Sequence, residues 1–140
     1  MRILVTGPRQ WTDEKTLHDA LFSVFIAHAP FTDAEVILVH GGADGFDLIS
    51  AAKATGLGWQ TEEHKADWAS DRYLAGFMRN AEMVAAGADA CVAGIMDCIK
   101  PGCKVPKPHP THGTADCISR VLLAAIPLVP VYPGRNGIND

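Results

Sequence analysis

The stretch Val36-Ile37-Leu38-Val39-His40-Gly41-Gly42-Ala43-Asp44-Gly45-Phe46-Asp47 decides how this chain folds. Val36 to Val39 is continuously apolar, the pattern of a strand covered on both faces. Paired glycines then turn the chain into an amphipathic helical segment, Leu48 to Thr55, with Leu48, Ala51, Ala52 and Thr55 inward and Gly56 as its stop. Strand, glycine turn and helix in that order can cradle a phosphate. Amides at a helix start point at an anion, and the helix dipole favours negative charge there. Glycine permits an approach that a Cβ would block. The same turn also joins strands to helices with no ligand present. Two further turns, Gly7-Pro8-Arg9 and His112-Gly113-Thr114, add weight to the ligand reading.

On either side the chain alternates strand and helix. Ile3 to Thr6 reads as the first strand. Thr12 reads as the N-cap of a helix whose inward face is Leu17, Ala20, Leu21, Val24 and Phe25, ended by Pro30. Trp59 to Glu63 is a less apolar strand and belongs near a sheet edge. A helix over 71–86 should bury Leu74, Phe77, Met78, Ala81, Val84 and Ala85, leaving Arg79 and Asn80 at its border. Ala90 to Ile95 is the fourth strand, and 97–110 is a proline-containing loop with Lys100, Lys104 and Lys107. A helix over 114–125, with Ala115, Ile118, Leu122 and Ala125 inward, leads to a last strand over 128–132. This order predicts an α/β fold: one three-layer domain over 1–133, with a mostly parallel sheet of about five strands and helices on both faces. Residues 134–140 read as a polar, frayed tail. Ligands of such sheets bind outside the carboxyl ends of the strands, where all three glycine turns fall.

A net charge of −4 argues against a nucleic-acid polymer as partner, while leaving room for a small anion in a locally positive pocket. No apolar run is long enough for a bilayer, and the opening segment reaches Gly7-Pro8 too soon for a secretory signal. A cytoplasmic chain with no membrane partner is expected, its cysteines thiols and Cys91 a core filler.

Several side chains carry both a structural and a functional reading. Asp44 and Asp47 have the spacing of a helix cap with a reciprocal acidic partner, and Asp47 could equally accept bonds from ribose hydroxyls. Thr114 suits an N-cap or a phosphate donor. Arg79 offers a bidentate fork to phosphate, its plainer alternative being an ion pair with Glu82. Arg9 follows the first glycine turn directly. Trp68 could stack on a base or cap a core, and Asn80 better suits holding a loop. His40 and His112 flank glycine turns, where a neutral imidazole could move a proton or simply be hydrogen-bonded. Cys98, Cys103, His109 and His112 lie at the loose end of zinc-ligand spacing.

Taken together, Gly7-Pro8-Arg9 with Trp11, the 40–47 segment, Asp67-Trp68, Ala75-Gly76, Arg79-Asn80 with Met83, and Gly113-Thr114-Ala115-Asp116 resemble the YspA-type branch of the SLOG superfamily. That superfamily of Rossmann-like domains includes the "lonely guy" phosphoribohydrolases. The resemblance implies a nucleotide or nucleotide-derived ligand bound by Gly7, Arg9, Gly41, Gly42, Gly45, Asp47, Trp68, Arg79, Asn80, Gly113, Thr114 and Asp116. It also implies a homodimer. The enzymatic relatives cut an N-glycosidic bond with an arginine, matched by Arg79, and a glutamate, whose position here is Cys117. Their proline-glycine-glycine is replaced by Pro110-Thr111-His112. If the chain is a hydrolase, its catalytic candidates are Arg79, Asp116 and Asp47. The other alternative is a non-catalytic interaction module. Because the family is not metal-dependent and His112 belongs to the proposed ligand turn, no metal or cofactor is expected.

Overall fold

Five parallel strands, β1 (Arg2–Thr6), β2 (Ile37–His40), β3 (Gln60–Glu63), β4 (Ala90–Gly94) and β5 (Leu128–Val131), lie in the order β3-β2-β1-β4-β5 in the computed structural model. The structure describes residues 1–28, 30–72 and 74–134. β1 is central, with Ile3 beside Leu38 on one flank and beside Ala90 on the other. The chain builds outward from β1 to β3, then returns to build β4 and β5. The strand order therefore reverses between β1 and β4, where open sheets of this kind place their crevice.

Period-two alternation divides the core. Ile3 and Val5 face a cluster containing Leu17, Leu21 and Val24 of α1 (Glu14–Ala27) and Phe46 and Ala54 of α2 (Phe46–Leu57). Leu4 faces the other cluster, with Met83 and Val84 of α3 (Ala75–Ala85) and Cys117 and Val121 of α4 (His112–Leu123). Cys91 is completely buried there. β3 is one of the two edge strands and largely exposed. Its Glu62 is gripped by Arg2 of β1 through bonds of 3.0 and 2.8 Å, and also pairs with His64 at 2.7 Å. Among the described residues, no helix is long and apolar enough to cross a membrane.

The helix faces differ from the sequence reading in ways that matter for the site. α1 is capped by Asp13 rather than Thr12: its carboxylate accepts from the Thr16 amide and hydroxyl at 3.1 and 2.7 Å. α2 continues through Gly56 and stops at left-handed Gly58. Its buried face is Phe46, Ser50 and Ala54, while Leu48, Ala52 and Thr55 are exposed. α3 begins after Asp71, whose carboxylate accepts the Leu74 amide at 2.9 Å. It buries Ala75, Asn80, Met83 and Val84, leaving Leu74 and Met78 exposed. α4 starts at His112 and turns Thr114, Cys117 and Val121 inward, so Leu122 and Ala125 lie outside. In α2, α3 and α4 small or polar side chains such as Ser50, Asn80 and Thr114 share the inward row with Phe46, Met83 and Val121, while several bulky apolar ones are left outside. Gly134 is tied down, its amide donating to Asp13 at 2.6 Å, and residues 135–140 of the expected tail lie outside the described residues.

Candidate functional site

A cleft of about 580 Å³ opens beyond the carboxyl ends of the strands. Its walls are the turn after β1, the start of α2, Trp68, the side of α3 bearing Gly76, Arg79 and Asn80, the segment from Cys98 to Lys100 and the start of α4. The charged side chains lining it are Arg9, Arg79 and Lys100 against a single carboxylate, Asp47. On a chain of net charge −4, this is a concentration of positive charge. Lys100 was visible in the sequence only as one of a basic trio. Gln10, Phe77, Ile99 and Thr111 also line the cleft and carried no sequence signal.

The glycines expected to admit a ligand mostly admit other parts of the protein. A Cβ on Gly7 would strike the Phe46 ring, and so would one on Gly94 at the end of β4. That ring is completely buried over the strand reversal and meets Trp11 edge-on at 5.0 Å. Gly45 has φ +74°, and its Cβ would strike the backbone carbonyls of Pro8 and Arg9. A Cβ on Gly41 would strike the guanidinium of Arg79. The amides of the 41–43 turn are engaged as well. Asp47 Oδ2 accepts from the Gly41 amide at 3.1 Å and the Ala43 amide at 3.4 Å, while His40 Nδ1 accepts from the Gly42 amide at 3.0 Å. The second-strand turn is therefore an internally closed loop, not an open phosphate cradle. Burial lowers the pKa of His40, which agrees with a neutral ring accepting at Nδ1.

Arg79 is held from two sides by neutral acceptors. Its Nη1 donates to the Gly41 carbonyl at 2.6 Å and its Nε to Asn80 Oδ1 at 2.9 Å. The ion pair with Glu82 does not form; Glu82 instead pairs with His64 at 2.7 Å. Asn80, 3% exposed, spans from α3 to α4 by donating to the Gly113 carbonyl at 3.2 Å and to Asp116 at 3.1 Å. Asp116 is also bound by Arg120 at 3.0 Å and is not among the cleft-lining residues. Asp47 is 5% exposed, and its Oδ1 is buried without a partner. Burial pushes its pKa up to about 6, against the pull of the Ala43 amide and of Arg79.

The start of α4 is more open. A Cβ on Gly113 would meet open space, and Thr111 at the N-cap makes no side-chain cap bond. Helix geometry leaves the first-turn amides of His112, Gly113 and Thr114 without intrahelical acceptors. The Thr114 side chain is buried and bonded to the Thr111 hydroxyl at 3.0 Å. Trp68, 47% exposed, stands over Gly76 at the mouth of the cleft. Cys117, where the hydrolases carry glutamate, is completely buried, and burial raises its thiol to about 11. Beside the cleft the structure also gathers Cys98, Cys103, His109 and His112, with donor atoms all within 4.8 Å of one another.

A doubly wound parallel α/β domain with a cationic cleft at its strand reversal is the class these features define. The sequence profile of the YspA, cpYpsA-related SLOG family matches residues 1–70, and the chain belongs to that family. The Gene 61 protein of Mycobacterium phage D29 is 41% identical to it over 97 residues, 66% of this chain and 74% of that protein. No solved structure matches. The profile covers the first two glycine turns and Trp68, while Arg79 and the start of α4 lie beyond it.

Proposed function

We propose that the cleft binds a nucleotide or a nucleotide-derived anion. The observation that carries this reading is the cationic lining, above all Arg79, whose guanidinium is oriented by a carbonyl and an amide and forms no salt bridge with a carboxylate among the described residues. An oriented guanidinium at a cleft wall, held by neutral acceptors, is suited to an anionic partner. In this reading phosphate lies on the first-turn amides of α4, with Arg79 and Arg9 supplying charge. The base stacks on Trp68, and the partnerless Oδ1 of Asp47 accepts from a ribose hydroxyl. Calorimetry against mononucleotides, dinucleotides, ADP-ribose-like and cyclic species tests this. At least one should bind, and Arg79→Ala should weaken it by about tenfold or more, the value of a hydrogen bond to a charged group. Failure of every species to bind would overturn the reading. An interaction module with no ligand would give that result, with Arg79→Ala leaving partner binding unchanged.

One observation favours a second reading, hydrolysis of a nucleotide N-glycosidic bond: Asp47 is a cleft carboxyl with a pKa raised to about 6, suited to acid–base work. The position of the family glutamate offers only the buried Cys117, and Asp116 is engaged by Asn80 and Arg120. Release of free base, abolished by Asp47→Asn, is the outcome that would establish this reading over simple binding.

A further inference from the structure

We propose that Cys98, Cys103, His109 and His112 bind one zinc ion, which clamps the 97–110 loop to the start of α4. The argument begins with distances. Zinc bonds of about 2.3 Å to sulfur and 2.0–2.1 Å to nitrogen place tetrahedral S and N ligands about 3.6 Å apart. Cys98 Sγ lies 3.6 Å from His112 Nε2, and Cys103 Sγ lies 3.3 Å from the same nitrogen and 3.4 Å from His109 Nε2. All the donor atoms fall within 4.8 Å of one another. Three of the six edges, each joining a sulfur to a nitrogen, already have the spacing of a zinc tetrahedron.

The supporting contacts are those a metal site needs. His109 Nδ1 lies 2.8 Å from the Pro110 carbonyl, so that nitrogen carries the proton and Nε2 keeps its lone pair. The Lys100 amide approaches Cys98 Sγ at 3.5 Å, in position to donate to a thiolate. The loop is closed at its base by the Asp97–Pro110 bridge and by the Cys98 amide on the His109 carbonyl at 2.8 Å. A disulfide between the cysteines would leave unexplained why both imidazole Nε2 atoms point at the sulfurs. Soft thiolates with imidazoles select zinc over hard cations such as magnesium or calcium. Four protein ligands fill the coordination shell, which makes the site structural, not catalytic. His112 would then be committed to the metal and unavailable for proton transfer.

The consequence reaches the cleft. Ile99, Lys100 and the first turn of α4 form one of its walls, and the ion would fix that wall. The proposal stands apart from the nucleotide reading because its readouts need no ligand. The full-length chain, purified under reductant, should contain one zinc per chain by elemental analysis. Cobalt titrated into the stripped, reduced protein should give the ligand-field bands of a tetrahedral thiolate site. Cys103→Ser or His109→Ala should reduce metal affinity by more than about 100-fold, beyond what losing an outer-shell partner costs. His18→Ala, remote from the cluster, should leave it unchanged. Should a ligand variant not fold, the wild-type chain gives the same answer: chelation should lower its melting temperature and zinc should restore it. Reduced, natively folded protein without stoichiometric zinc or cobalt bands would overturn the proposal. So would metal uptake that survives the Cys103→Ser, His109→Ala pair.

Discussion

The Gly41 carbonyl accepts a 2.6 Å hydrogen bond from Arg79, and the absence of a side chain on Gly41 is what lets that guanidinium lie where it does. Gly41→Ala should therefore act as a ligand-site mutation. Gly41 does not have a positive φ, and the atoms nearest its Cβ position belong to the far end of the Arg79 side chain, so the fold should lose no more than about 1 kcal/mol. The displaced guanidinium should lose its grip on Gly41 and Asn80. Nucleotide affinity should fall as far as in Arg79→Ala, with little further loss in the double variant. Simple additivity of the two losses in calorimetry would contradict this linkage.

Glycines elsewhere in the same segment should respond in opposite directions. Gly45 combines φ +74° with backbone carbonyls in the space of its Cβ, neither of which a side chain can move aside. Gly45→Ala should cost at least about 1–3 kcal/mol, the range for strained backbone. Gly56 lies within α2 with nothing near its Cβ position and no positive φ. Gly56→Ala should add roughly 0.5–1 kcal/mol through helix propensity. Chemical denaturation of both variants checks the pair, and equal effects would refute the assignment of Gly45 to close backbone packing.

This contrast marks where the sequence stops being legible. The parallel sheet could be read from continuous apolar runs between glycine turns, because strands buried on both faces must be apolar throughout. The face of α1 could be read too, with Leu17, Leu21 and Val24 buried, but those of α2, α3 and α4 could not, because Leu48, Leu74, Met78 and Leu122 are apolar yet exposed, while Ser50, Asn80 and Thr114 are polar yet buried. Close packing on the sheet favours small side chains, and a count of apolar residues cannot register that. Glycine turns were visible as turns, but what fills the space above them is a tertiary fact: Phe46 above Gly7, Arg79 above Gly41. Likewise, spacing alone gave Cys98, Cys103, His109 and His112 little weight. Only the bridge that folds the loop back brings their donor atoms together.

Asp47 gives the protein a specific pH response. Its pKa rises from 3.8 to about 6 on folding, chiefly because burial disfavours the anion. Between those values the folded state binds more protons than the unfolded state, so this group's contribution to stability falls as pH rises through about 6. The loss is at most about 3 kcal/mol at neutral pH, from roughly 1.4 kcal/mol per unit. Asp47→Asn, which keeps the shape without the charge, should gain stability relative to wild type between pH 4 and about 7 and hold a constant difference above that. Melting curves of both proteins across that range measure the difference, and a difference independent of pH would count against burial as the cause.

The hydrolase alternative makes a demanding prediction at Cys117. If only the missing glutamate separates this chain from the phosphoribohydrolases of its superfamily, Cys117→Glu should create base-releasing activity. The structure argues for a different outcome. Cys117 is completely buried in the α3–α4 cluster, does not line the cleft, and has the carboxylates of Asp47 and Asp116 near enough to oppose another negative charge, with Arg79 acting the other way. A glutamate there must enter a packed apolar site either protonated or as an unpaired anion, a defect that costs about 3–5 kcal/mol when a buried charge loses its partner. Cys117→Glu should therefore unfold at markedly lower temperature and release no base from nucleoside monophosphates. Cys117→Ser, a smaller polar change, should keep the fold and nucleotide affinity. A stable, active Cys117→Glu variant would mean that the start of α4 can rotate this position into the cleft, and it would move the hydrolase reading ahead of simple binding.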